Sequence, residues 1–140
     1  MSNFAVFMAG NTTNETVKYV ASKRFVDKGK PVEWEIKSID SELDEALRKE
    51  CTKRVPIAGK RGQYNQEVDT DKYIAKMCVT CTVYPNLNDA ELQDSYGVKS
   101  GEALLKKMLR PGEYTDYKAK VMEVNGYDMS MEELVDEAKN

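Results

Sequence analysis

Val32, Trp34 and Ile36 alternate with Glu33, Glu35 and Lys37, and this period of two predicts a strand with one buried face. The run before it, VKYVASKRF, is rich enough in Val, Tyr and Phe to be its partner, and DKGKP supplies the Gly and Pro of a turn. Residues Thr16 to Ile39 therefore read as a β-hairpin, with Trp34 as its core anchor.

Beyond Asp40 the period lengthens to that of a helix. Ser41 and Asp44 read as the start of a first helix, with Leu43, Leu47 and Cys51 at i, i+4 and i+8. Asp69 or Thr70 opens a second, in which Ile74, Met77, Cys78 and Cys81 form one stripe that ends before Pro85. In LNDAEL, Asn88 and Glu91 have capping-box spacing and Leu87 and Leu92 the spacing of a hydrophobic staple, and Gly97 closes that helix. Ser100 begins a fourth, carrying Ala103, Leu104, Met108 and Leu109, and Pro111-Gly112 stops it. A fifth, from about Glu113, aligns Tyr114, Tyr117, Val121 and Val124 before Asn125-Gly126. SMEELVDEA repeats the capping-box spacing with Ser130 and Glu133, and Met129 and Leu134 form its staple. The fold class expected is α+β, mostly α: an N-terminal β-hairpin followed by about six short helices packed as a small bundle.

Charge changes this picture in two places. Net charge is only -3, so no strong overall field draws the chain to nucleic acid or to an anionic membrane. Yet every charge from Cys51 to Gly62 is positive (Lys53, Arg54, Lys60 and Arg61), while six acids face Lys139 alone between Val121 and Asn140. These are either two solvated surfaces of opposite sign or the halves of an electrostatic contact. In the second reading Lys53, Arg54, Lys60 and Arg61 of one copy meet Glu132, Glu133 and Asp136 of the next. The first fourteen residues carry no charge, and 1–17 reads as a flexible apolar arm that packs on its own domain or docks on a neighbouring subunit. No apolar run approaches the ~20 residues of a membrane span, and Phe4 to Gly10 lacks the length and basic flank of a signal peptide. With three cysteines, an odd number, a reduced cytoplasmic setting is expected.

Candidate chemistry is thin. Gly59-Lys60 is followed by Arg61 rather than Ser or Thr, and Arg54 stands where a phosphate-binding loop needs its first glycine, so RVPIAGKRGQY is not a nucleotide loop. Read as a charged connection between helices, it could still touch a nucleic-acid backbone through its cations and Tyr64. Cys78 and Cys81 have metal-site spacing, but the chain holds no second pair and no histidine, so buried core thiols are the expectation. Without histidine the commonest general base is missing. No cofactor or metal is expected, and no enzymatic activity.

What remains is apolar helix surface: Leu104, Leu105, Met108, Leu109, Tyr114 and Tyr117 serve as core or, where exposed, as a surface that holds another chain.

Several longer stretches carry a resemblance. TKRVPIAGKRGQY, CTVYPNLNDAELQDSYGVKSGEALLKKMLRPGEY, YVASKRF and PVEWEIKSI resemble the XkdN-like tail assembly chaperones of contractile-tailed bacteriophages, defective prophages and phage-tail-like bacteriocins (tailocins). The likeness runs from about Lys18 to Tyr127, so 18–127 is the expected chaperone domain and 128–140 an acidic C-terminal helix. It implies a non-enzymatic role in virion morphogenesis. Such a protein keeps the tape measure protein soluble while tail tube subunits polymerise around it in the host bacterial cytoplasm, and is absent from the mature particle. The implied partners are the tape measure protein, the tail tube protein, further copies of the chain, and a longer product made by ribosomal frameshifting. Lys139-Asn140 after a codon ending in A fits a slippery A AAA AAC near the end of the reading frame. The rival reading is a nucleic-acid-associated phage regulator using the basic 53–61 segment.

Overall fold

The computed structural model describes residues 4–12 and 15–127. Two 3-10 turns (Ala5–Phe7, Ala9–Asn11) precede β1 (Val17–Tyr19), β2 (Val26–Asp27), β3 (Lys30–Pro31) and β4 (Trp34–Ile36). Then come α1 (Ser41–Glu50), β5 (Thr52–Pro56), β6 (Tyr64–Val68), α2 (Thr70–Cys81) and β7 (Thr82–Tyr84). The chain continues through α3 (Ala90–Ser95), α4 (Gly101–Met108) and α5 (Pro111–Val124).

The described residues form five α-helices and seven strands in three sheets, which overturns the expectation of one hairpin followed by about six helices. The reason lies in β4. Trp34 and Ile36 are both buried, so this strand needs hydrogen-bond partners along both edges. β1 supplies one, with Val17 opposite Ile36 and Tyr19 opposite Trp34. β7 supplies the other, antiparallel, from the far end of α2. Between β1 and β4 the turn folds into its own small hairpin, β2–β3, around Lys28 and Gly29, both at positive φ as a tight two-residue turn demands. A third sheet, β5–β6, takes up the segment expected to join two helices. The expected helix around Ser130–Ala138 lies outside the described residues.

α2 runs through the centre of the molecule and packs on α1, α4 and α5. Met77, Cys78 and Cys81 of its expected stripe are fully buried, and Tyr73, Ala75 and Val79 join them. At the heart of the core the Trp34 and Tyr117 rings meet edge to face, 5.2 Å between centroids, with Tyr19 and Phe25 on their flanks. Tyr117 Oη lies 2.6 Å from Thr82 Oγ1, which in turn donates to the Cys78 carbonyl.

The helix starts follow carboxylates more than hydroxyls. Asp40, not Ser41, caps α1 by accepting from the Leu43 amide, and Asp89, not Asn88, caps α3 by accepting from Leu92. A carboxylate both satisfies the orphan amide and answers the positive end of the helix. Asp69 and Ser100 cap α2 and α4. Pro111 begins α5 rather than merely ending α4, since the first helical position needs no N–H. Glu113 then accepts from the Arg110 amide at 2.8 Å. At Gly101 the chain has no room for a side chain, because a Cβ there would stand 2.7 Å from Val79 Cγ1.

Candidate functional site

The basic segment stands on a ribbon. α1 ends at the buried Cys51, whose carbonyl accepts from the Asp69 amide at 2.7 Å and so closes the base of the β5–β6 hairpin. From there Thr52 pairs with Val68 and each step outward adds a pair, as far as Pro56 with Tyr64. Gly59 and Gly62, at φ +77 and +80, turn the tip, where Lys60 and Arg61 sit. Every residue from 52 to 68 is exposed except Val55 and Ile57, which are half-buried. Opposed residues share a face, so Arg54 and Pro56 stand with Val68, Gln66 and Tyr64, and Lys53 and Val55 with Glu67 and Asn65. The Arg54 guanidinium lies 4.3 Å from the Tyr64 ring centroid. Among the described residues, none of Lys53, Arg54, Lys60 and Arg61 is within ion-pair distance of a carboxylate. Their expected partners Glu132, Glu133 and Asp136 lie outside the described residues.

The apolar stripe has another fate. Leu104, Leu105 and Tyr117 are completely buried, and Met108 and Leu109 nearly so, all in the one core. Of the six residues expected to hold another chain, only Tyr114 reaches the surface. It lines an open groove of about 280 Å³ with Asp71, Ile74, Lys106 and Lys118, the Lys118 ammonium lying 4.7 Å from its ring centroid. Burial pushes the Tyr114 phenol up to about 12.

A larger apolar surface lies in the arm. Val6 and Phe7 are 70% and 75% exposed, and Met8 is 53% exposed. Val83 and Tyr84 add exposed apolar area along β7, an edge strand. The thiols are all inside: Cys51, Cys78 and Cys81 are buried and free, and burial pushes Cys78 up to about 12, opposite to the activation a redox thiolate needs.

Sequence reasoning named the four cations of the ribbon but placed them on a loop. Thr52, Val55, Ile57, Tyr64 and Val68, with two glycines between, are the signal that could have given two strands and a turn.

The described residues thus combine a body of helices and small sheets with a basic ribbon, an exposed apolar arm and buried thiols. The family described as "Phage XkdN-like tail assembly chaperone protein, TAC" matches residues 4–139, and the chain belongs to that family. Over 141 aligned positions it is 37% identical to "Uncharacterized protein YqbN" of Bacillus subtilis (strain 168), covering 99% of this chain and 93% of that protein. It is 33% identical to "Phage-like element PBSX protein XkdN" of the same organism, covering 99% and 94%. A crystal structure of the protein YqbN matches with a TM-score of 0.76 at 32% identity, covering 91% of this chain and 99% of that one.

Proposed function

We propose that this chain is a non-enzymatic chaperone that binds the tape measure protein of its phage or phage-like element, keeps it soluble while the tail tube polymerises, and leaves before the particle is complete. This places its work in the host bacterial cytoplasm. The observation that carries the reading is the match of residues 4–139 to a tail assembly chaperone family. The exposed arm supplies the means. Each Val, Phe or Met side chain left in water forgoes about 1.5–3 kcal/mol relative to burial, so Val6, Phe7 and Met8 form a surface that gains by being covered. An apolar helical stripe of the client is the cover we assign to it, with the Tyr114 groove as a second point of contact. Many copies along one client give avidity while each contact stays weak enough to release.

The test is co-expression with a fragment of the cognate tape measure. The fragment should be soluble and co-purify with the chain, and should precipitate when the chain carries Val6→Asp and Phe7→Asp. Both positions are exposed, so the variant should keep the thermal stability of the parent. A fragment equally soluble without the chain would overturn the chaperone reading, and an unimpaired double variant would overturn the role of the arm. A salt-sensitive shift of DNA or RNA with no effect on the fragment would favour the regulator reading instead.

A further inference from the structure

We propose that the β5–β6 ribbon is a docking surface for the chain's own acidic segment, residues 128–140. The proposal stands apart from the chaperone reading and begins with where the described chain ends. Tyr127 closes the turn after α5 by donating its amide to the Met122 carbonyl, and its hydroxyl lies 3.4 Å from Arg48 Nη2. Arg48 belongs to the last turn of α1, where its side chain also pairs with Asp44 at 3.0 Å and covers the Tyr73 ring. Tyr73 in turn donates its hydroxyl to Asp44. The carbonyl of the same Arg48 accepts from Thr52 Oγ1 at 3.0 Å, and Thr52 is the first residue of the ribbon. Arg48 therefore touches both the side chain of Tyr127, the last described residue before the acidic segment, and the root of the ribbon.

Charge and reach fit this neighbourhood. The ribbon holds four cations against Glu67 alone, none of the four paired among the described residues. The segment holds five acids (Asp128, Glu132, Glu133, Asp136, Glu137) against Lys139 alone. Its apolar residues Met131, Leu134, Val135 and Ala138 recur at i, i+3, i+4 and i+7, a stripe that suits the exposed Tyr64 and Val68 of one ribbon face. Even wound as a helix, thirteen residues reach about 20 Å, and a five-residue strand spans about 17 Å. A short tether sets the effective concentration of the segment at the ribbon in the millimolar range, which favours the segment of the same chain over that of a neighbour. Exposed ion pairs are individually weak and screened by salt, so the docking is reversible and salt-sensitive.

The experiment uses the full chain and reads the backbone amide resonances of residues 52–68. Reversing the acids (Glu132→Lys with Glu133→Lys) should shift these resonances and leave those of α4 unmoved. Lys60→Glu with Arg61→Glu should release the segment in the same way, and the four changes together should restore contact. In about 0.5 M salt, the parent and the acid-reversed chain should converge, because the Debye length falls to a few ångströms. Ribbon resonances indifferent to the acids and to salt would overturn the proposal. So would a mixture of isotope-labelled acid-reversed chain with unlabelled parent in which the labelled ribbon regains the parent shifts, since the occupant would then be a second copy.

Discussion

Thr82→Val removes one oxygen from the centre of the molecule and leaves the shape of the side chain almost unchanged. Thr82 Oγ1 has a single proton, and it goes to the Cys78 carbonyl 2.6 Å away. The contact of 2.6 Å with Tyr117 must therefore be a bond that the tyrosine donates. With valine in place, the Tyr117 hydroxyl stays in a site closed to water, with no acceptor. An orphaned buried donor costs about 1–3 kcal/mol, whereas valine is at least as good a strand residue as threonine and pulls the other way. Tyr117→Phe should cost less, about 0.5–1.5 kcal/mol, because Thr82 keeps its bond to Cys78. The double variant buries no orphan, so its loss should fall about 1 kcal/mol or more short of the sum of the two singles. Urea unfolding followed by Trp34 fluorescence measures all three, since Trp34 is the chain's single tryptophan and its ring touches that of Tyr117. A Thr82→Val chain as stable as the parent, or a cycle with strictly additive losses, would refute the reasoning.

Gly101→Ala should lower stability by about 1 kcal/mol, as crowding of about 1–3 kcal/mol outweighs a helix-propensity gain of up to about 1 kcal/mol. The cost of Val79→Ala should shrink in that background, and a stabilised Gly101→Ala chain would show that the 2.7 Å approach to Val79 is relieved at no cost. Glu113 is held below its ordinary value of 4.5, first by the Arg110 amide and then by the Ser22 hydroxyl and Arg24. Its contribution is therefore full above that value and fades as pH falls through the lower folded one. Glu113→Gln should be less stable than the parent at neutral pH, with the two thermal midpoints converging in acid; a gap that persisted at low pH would point to geometry rather than charge.

The sequence carried much of this architecture where pattern and caps agreed. The α2 stripe, Ser100, Gly97 and the Asn125-Gly126 stop mark elements whose signals lie within a few residues of one another. β7 was illegible because three residues directly after a helix cannot reveal a partner far back in the chain at β4. The β5–β6 ribbon escaped because, with almost every residue exposed, it has no buried face to impose an alternation. The stripe from Leu104 to Tyr117 was legible as apolar but not as covered, since a helix face turned to its own core and one turned to a client share the same spacing. The four cations could be read one by one, but their common platform could not.

The central strand also has a bearing on how the molecule is made. A nascent chain that has emerged only as far as the ribbon lacks both β7, which pairs one edge of β4, and Tyr117, whose ring meets Trp34. A premature stop anywhere before α5 removes the Tyr117 ring from the Trp34 indole while leaving Phe25 beside it. Chains truncated there should therefore be cut by proteases faster than the finished body, because the central strand and its indole are left more open.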